Sequence, residues 1–437
     1  MARLTSVIAL GLLPAGFLWG STPRYESVQS PYDSGRRNVT RQEKSDKEAL
    51  GGKSLRLCPE LKVTAPAADF YIYPPYPGRY QFTWHLKIDD NTGVGTVVAC
   101  TPGFTDARNP SLSLAPTNFI ARGKYQSFVV EGVVPENVYG VYATDFYCET
   151  GRTVWWDYNK CELVECFDDA RVIREFYPGF RSPADFKRTA ASDRPRVHVA
   201  YGGQYASSGV REALRLLHRQ APPEDAVPAD IRFYKGPPPR EPGQWREGSI
   251  IDHGQVRERI PGFPDTQEAF AALDMIILAN VPGRSVKAPS RVLMADWVRA
   301  AGGGLLLTGG MTALGKGYAE GTVLEQMLPV ELAGVNDTKA VRNGQLVVKD
   351  KTLAALVGTA PLATRFYQLV RVKPGATVLI ETRDGAPLLV DWPYGAGRVA
   401  VWAAMPIGSP PPQQIAWWKS DKWPAVLAEV IQRTAGK

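Results

Sequence analysis

The chain has 437 residues, 44% hydrophobic and 22% charged, long enough for two or three domains with cores of their own and too apolar for global disorder. Its formal net charge is +7 and its pI is near 9.0. The basic residues are scattered and not run together, which argues against a nucleic-acid partner.

From the N-terminus, Arg3 precedes an uncharged apolar run from Val7 to Trp19, and Gly20-Ser21 offers small residues for cleavage. This layout predicts a secretory signal over residues 1–20 or, if uncleaved, an N-terminal anchor that would be the chain's membrane contact. A secreted or periplasmic location follows. Residues 21–53 are polar and charged, contain Pro31 and end at Gly51-Gly52, and read as a flexible linker.

Residues 54–176 carry strand grammar. Tyr71 and Tyr73 alternate, as do Tyr80, Phe82, Trp84, Leu86 and Ile88, and turn residues recur at Pro77-Gly78, Asn91-Thr92-Gly93 and Pro135-Glu136-Asn137. Period-two spacing with such turns predicts an all-β, sandwich-like domain. Its aromatic stripe offers sugar-stacking surfaces, but aromatics also dominate sandwich cores, and core packing is the favoured reading. All five cysteines (Cys58, Cys100, Cys148, Cys161 and Cys166) fall near or within this segment. In an exported chain they are candidate disulfide partners, with one thiol left over. A metal site is disfavoured, because Cys161-x4-Cys166 has no CxxC partner.

Residues 177–195, with three prolines and no periodicity, form the boundary. From residue 196 to 437 strands alternate with helices, as in a doubly wound, mostly parallel sheet. Val197 to Ala200 is the first buried strand, with Gly202-Gly203 at its carboxyl end. A helical face follows at Val210, Ala213, Leu214 and Leu217, then a strand at Ile231 to Tyr234. Met275 to Ala279 is an apolar run of the kind buried on both faces. Leu293, Met294, Trp297, Val298 and Ala301 share one helical stripe that ends at Gly302. Leu305 to Leu307 is the next buried strand, running into Thr308, Gly309, Gly310 and Met311. A meander over Thr377 to Ala403 and a final helix bearing Trp423, Val426, Leu427, Val430 and Ile431 close the chain.

The run Gly302 to Gly310 (GGGLLLTGG), then Gly317-Tyr318, Leu328-Pro329-Val330 and Tyr394-Gly395-Ala396-Gly397-Arg398-Val399, resembles the "putative glutamine amidotransferase" family of the class I glutamine amidotransferase-like superfamily, which includes ThuA-like proteins. The resemblance covers roughly residues 196–434 and implies a flavodoxin-like fold. It also implies a cysteine nucleophile on a strand-to-helix elbow and a histidine base, and here the pattern departs. No cysteine follows Cys166 and no histidine follows His253. Loss of either group costs orders of magnitude in rate, so the resemblance does not carry the activity with it.

The candidate ligand-facing turns are therefore Gly202, Gly203, Thr308, Gly309, Gly310 and Met311, at the carboxyl edge where open α/β sheets bind ligands. Gly310 to Gly317 nearly spells a phosphate-binding GxxxxGK[ST] loop, but its last position is Gly317, so the magnesium-binding hydroxyl is missing. His198 and His218 read as structural. Asp252 and His253 are the one pair worth testing for acid–base or ligand roles. No metal and no cofactor is expected. The functional expectation is a non-catalytic binding or interaction protein whose partner is a protein or a carbohydrate. The alternative is a hydrolase acting on a carbohydrate-type substrate at the sheet's carboxyl edge, with Asp252 and Asp391 as acids.

Overall fold

The computed structural model describes residues 23, 25–29, 41–57, 71–72, 74–100, 111–136, 141–142, 152–183, 186, 199–203, 209–219, 232–234, 263–317 and 319–436. The segment read as a signal, Cys58, Cys148, His198, Asp252 and His253 lie outside them.

The N-terminal half is antiparallel β structure. Strands β1 (Glu26–Gln29), β2 (Arg41–Ser45) and β3 (Lys53–Leu57) are followed by the short β4 (Tyr71–Ile72) and the long β5 (Gly78–Ile88). Next come β6 (Val98–Cys100), β7 (Leu112–Leu114), β8 (Gln126–Val134), β9 (Val141–Tyr142) and β10 (Val154–Cys166). The main sheet has the order β2-β3-β10-β5-β8, with β1 also on β10. A second full sheet is not seen among the described residues; β6 pairs with β7, and β4 with β9. Alternation along β5 works as its pattern predicts. Tyr80, Phe82, Trp84, Leu86 and Ile88 are buried, and they meet Val98, Leu114 and Phe119 from β6, β7 and the turn after them. The aromatic stripe is core.

Two expectations need correcting. Parts of the segment read as a flexible linker are strands: β1 pairs with β10, and β2 lies at the sheet edge on β3. The β2 sequence RQEKS has no apolar face to announce a strand, which is the usual composition of a protected edge. The cysteines also behave differently. Cys161 is buried among apolar side chains, with Phe82 and Ser27 as its cross-strand neighbours. Cys161 and Cys166 are not joined in a disulfide. The side chain of Cys100, like Cys58 and Cys148, lies outside what is described.

Helix α1 (Asp169–Phe176) closes this half. The α/β half then runs β11 (Val199–Gly203), α2 (Val210–Arg219), β12 (Arg232–Tyr234), α3 (Gln267–Ala271), β13 (Met275–Ala279), α4 (Ala288–Ala301), β14 (Gly304–Thr308) and α5 (Val323–Met327). The short strands β15 (Val330–Leu332), β16 (Thr338–Ala340) and β17 (Leu346–Val348) precede α6 (Lys351–Val357). The remainder is β18 (Leu362–Ala363), β19 (Phe366–Gln368), β20 (Val370–Val372), β21 (Thr377–Thr382), β22 (Pro387–Tyr394), β23 (Gly397–Trp402) and α7 (Trp423–Thr434).

The main sheet has eight strands in the order β12-β11-β13-β14-β23-β22-β21-β17. It is mixed. The strands from β12 to β23 run parallel, and β22, β21 and β17 turn back antiparallel. Ile276 and Leu278 of β13 face α3 and α4, whereas Met275 and Ile277 face α2 and α7. Burial on both faces explains why these strands read as unbroken apolar runs. Gly202 and Gly203 belong to β11 itself, paired with Leu278 and Ala279, and not to a turn after it.

Helix α4 buries its predicted stripe against the sheet, and Gly302 ends it at φ 74°. Its opposite side is buried too, because α1 of the β half packs there. At the far side of the sheet, Asp350 caps α6 by accepting from the Leu353 amide at 3.0 Å, while its second oxygen accepts from Arg433 at 2.7 Å. Asp350→Ala is expected to cost about 1 kcal/mol, read as a lower urea midpoint at neutral pH. Burial pushes the Asp350 carboxyl up, but the Leu353 amide and Arg433 outweigh it and hold the group below its usual range. The contribution is therefore complete above the unfolded-state pKa of about 3.9. It is lost as pH falls through the lower folded value.

Candidate functional site

The carboxyl edge of the sheet is organised by the turn after β14. Trp402 at the end of β23 accepts from the Gly309 amide, and Gln368 at the end of β19 accepts through Oε1 from the Gly310 amide at 3.0 Å. Across the turn stands Asn280, the first residue after β13, in the left-handed region at φ 54°. Asparagine tolerates that conformation because its short side chain bonds locally. Its Oδ1 accepts from the Thr312 amide at 2.8 Å, and its carbonyl from the Thr312 hydroxyl at 2.8 Å. The glycines are required by closeness. A methyl group on Gly310 would stand 2.1 Å from Asn280 Oδ1, and one on Gly309 2.9 Å from the Ala403 carbonyl.

Gln368 extends the network. Its Nε2 donates to the Ala313 carbonyl at 2.5 Å and to Asp337 Oδ2 at 2.9 Å. The antiparallel pairing of β16 with β19 sets this up, since Thr338 lies opposite Gln368 and brings Asp337 beside it. Asp337 Oδ2 also accepts from the Lys316 amide at 3.2 Å. In the phosphate-loop lookalike an amide thus faces a carboxylate and not an anion site, and its Leu314–Gly317 segment is a 3-10 turn, not a helix start. Burial pushes the Asp337 carboxyl up to about 7. Glu320, further along the same loop, is pushed up to about 8, first by burial and then by the charges of Glu325 and Asp337 against the pull of Arg284.

The expected ligand-facing residues divide. Thr308, Gly309 and Gly310 converge on this turn with Asn280 and Gln368, and all five except glycine bring a polar side chain. Met311 is at its surface, 49% exposed. Gly202 and Gly203 lie two strands away on β11. Asp391 lies on β22, buried and paired with Arg398 at 2.6 Å and Arg433 at 3.5 Å. His218 lies in α2, with its side chain beyond the described set.

A cavity of about 460 Å³ opens elsewhere, at the seam between the halves. Ile173, Phe180, Val292 and Val323 form apolar wall, with Asp168, Arg181 and Gln326 alongside. The seam is held by charge. Arg291 of α4, wholly buried, bonds Asp169 of α1 through Nε at 3.0 Å and Glu136 through Nη2 at 2.7 Å. A second link is Arg284, whose Nη2 donates to the Glu320 carbonyl at 2.9 Å and lies 3.7 Å from Cys166 Sγ. Burial raises the Cys166 thiol above its usual pKa despite Arg284.

Sequence reasoning missed a further cluster on the outer face of β5. His85 Nδ1 bonds Asp157 Oδ2 at 2.8 Å, and the imidazole packs between Tyr125 and Tyr158 with centroids at 5.1 and 4.8 Å. A register shift between Trp156 and Tyr158 brings Asp157 into place. The alternation of β5 signals His85 on that face; a bulge leaves no mark in composition.

Among known families, residues 248–432 match the model described as "Putative glutamine amidotransferase", so the α/β half contains a glutamine amidotransferase-like domain. No curated protein matches the chain in sequence. Of solved structures, a cytoplasmic protein of Salmonella typhimurium LT2, STM1381, is 19% identical, with 54% of this chain and 98% of that chain covered and a TM-score of 0.39. A second Salmonella typhimurium cytoplasmic protein, STM3548, is 16% identical, covering 55% and 99%, with a TM-score of 0.40. A ThuA-like protein of Parabacteroides merdae is 14% identical, covering 56% and 91%, with a TM-score of 0.34.

Proposed function

We propose that the protein is exported and that its glutamine amidotransferase-like domain serves binding and not glutamine hydrolysis. The observation that carries this reading is the turn after β14. Amidotransferase chemistry of this class needs a cysteine on that elbow and a histidine to activate it. Here the elbow is Thr308-Gly309-Gly310-Met311, no cysteine follows Cys166, and no histidine follows His253. The space before the turn is filled by Asn280 and Gln368, each engaged with the turn's own amides. Export rests on the Val7 to Trp19 run; among the described residues no helix is long and apolar enough to cross a membrane.

For the ligand, the seam cavity is the better seat. Phe180 presents a ring, and Asp168, Arg181 and Gln326 present polar groups within one concave wall, the combination that suits a carbohydrate with one apolar face. Its alternative is a protein partner. The competing reading, a hydrolase at the sheet edge, has one point in favour: Glu320 keeps its proton near neutrality, as a general acid must. Against it, both Glu320 oxygens are enclosed.

Purified full-length protein given glutamine is expected to release no ammonia above the buffer blank. Release that a single substitution within residues 263–436 abolishes would overturn the non-catalytic reading. Calorimetric titration with a panel of neutral oligosaccharides is expected to give heat with at least one, weakened about tenfold or more by Phe180→Ala. Silence across the panel moves the ligand class to protein.

A further inference from the structure

The main sheet of the N-terminal half ends in two strands of opposite character. At one edge stands β2, whose sequence RQEKS carries an arginine, a glutamate and a lysine. At the other stands β8, 9 residues reading QSFVVEGVV, with Glu131 as its single charge and neither lysine nor proline. Charge, lysine and proline on an edge strand deter a further strand from joining it. One edge of this sheet is guarded and the other is not.

Strand β8 pairs with β5 along its whole length, from Gln126 opposite Leu86 to Val134 opposite Gly78. In such a pair alternate residues aim their amide and carbonyl groups away from the partner strand. Among the described residues, no backbone group over 126–132 bonds to any segment but β5. The side chains agree. Ser127, Val129 and Glu131 are exposed on the outer face, Val129 to 46%. Phe128, on the other face, is half-buried, with its ring centroid 4.8 Å from that of Phe119. At Val133 the strand reaches the seam and packs against Phe167, Val172 and Ala288. The open stretch is therefore 126–132.

We propose that residues 126–132 pair antiparallel with the same residues of a second copy of this chain, so that the sheet continues across a two-fold dimer. The occupant follows from what it must offer, an extended edge strand of similar length that is apolar and short of charge. Among the described residues β8 itself meets that need. The edges of the large sheet, β12 and β17, have 3 residues each, and β2 is charged. A strand paired with its own copy makes a self-complementary, closed interface. Centring the pairing on Val129 uses the whole open stretch. It sets Val129 against the second copy's Val129, which covers the exposed valine. It also sets Phe128 against the second copy's Val130, an aromatic and β-branched pair of the stabilising kind. Glu131 falls opposite Ser127, so no like charges meet. Centring on Glu131 would set carboxylate against carboxylate, and centring on Val130 would carry the pairing into Val133 at the seam. The dimer is independent of which ligand the seam cavity takes.

Sedimentation equilibrium of the purified full-length protein is expected to show a monomer–dimer equilibrium. Val129→Glu sets two carboxylates against each other on the axis, and Val129→Lys two ammonium groups. Each is expected to weaken dimerisation about tenfold or more, because like charges directly opposite oppose strand pairing. An equimolar mixture of the two variants sets carboxylate against ammonium and should restore a dimer with one chain of each. The proposal is overturned if wild type stays monomeric up to its solubility limit, if both variants dimerise as wild type does, or if the mixture stays monomeric. A further measurement needs no variant. Backbone amides within 126–132 of wild type should exchange their hydrogens more slowly at high protein concentration than at low, and equal rates would also overturn the pairing.

Discussion

Arg291→Leu is expected to destabilise the protein by about 3–5 kcal/mol, the range for breaking a buried ion pair from one side. The substitution keeps a shorter apolar side chain on α4 and leaves Asp169 and Glu136 enclosed without the guanidinium that bonds both. Asp169 would retain the Val323 amide at 2.9 Å, and Glu136 the Ala288 amide at 2.8 Å; neither replaces a guanidinium. Urea denaturation followed by tryptophan fluorescence measures the loss, and a change under 1 kcal/mol would sink the argument. A second expectation separates charge from packing. Combining Arg291→Leu with Asp169→Leu and Glu136→Leu should recover much of the deficit, because a buried triad replaced wholly by apolar groups is often neutral or better.

The pH dependence has a definite sign. Burial pushes the Asp169 carboxyl up, but Arg291 outweighs it and holds the folded pKa below the usual range. A depressed folded pKa means the contribution is present above the unfolded value of about 3.9 and is lost as pH falls through the folded one. Wild type should therefore lose stability more steeply than the triple variant under acid conditions.

Gly310→Ala is the second large effect. The added methyl would stand 2.1 Å from Asn280 Oδ1, far inside contact, so Asn280 must move. Overpacking of this kind costs about 1–3 kcal/mol, and displacing Asn280 also breaks its bonds to Thr312, each worth roughly 1 kcal/mol. Asn280→Gly in the same chain removes the obstructing atoms and relieves a non-glycine residue of a positive φ. The double variant is thus expected to be less destabilised than the sum of the two single ones. Strict additivity in a double-mutant cycle would show that the two residues do not meet.

What the sequence reveals here depends on how local the cause is. The runs Met275 to Ala279 and Leu305 to Leu307 and the stripe on α4 record burial within one element, and each is where the pattern puts it. The glycine turn was visible for the same reason. Its neighbours were not: Asn280, Asp337 and Gln368 come from three separate segments and are joined only by strand pairing. Arg291 is legible as a helix residue, but its partners at Glu136 and Asp169 sit in the other half of the chain. The disulfide expectation rests on an export context and on cysteines confined to one domain, which carry no pairing geometry, and of the five only Cys161 and Cys166 are described with their side chains. The edge strand β2 is not legible because its sequence RQEKS is wholly polar, the charged composition that blunts sheet edges.

The order of strands in the large sheet sets an order in time. Strand β14 sits in the middle of the sheet, yet its partner on one side is β23, with Gly304 opposite Arg398. While the ribosome is still extending the chain through the intervening residues, β14 has an open flank of unpaired amides and carbonyls between two apolar faces. Such a flank invites pairing with another nascent chain. The parallel half therefore waits on a distant segment, and premature termination before β23 would leave an aggregation-prone remnant and not a smaller domain.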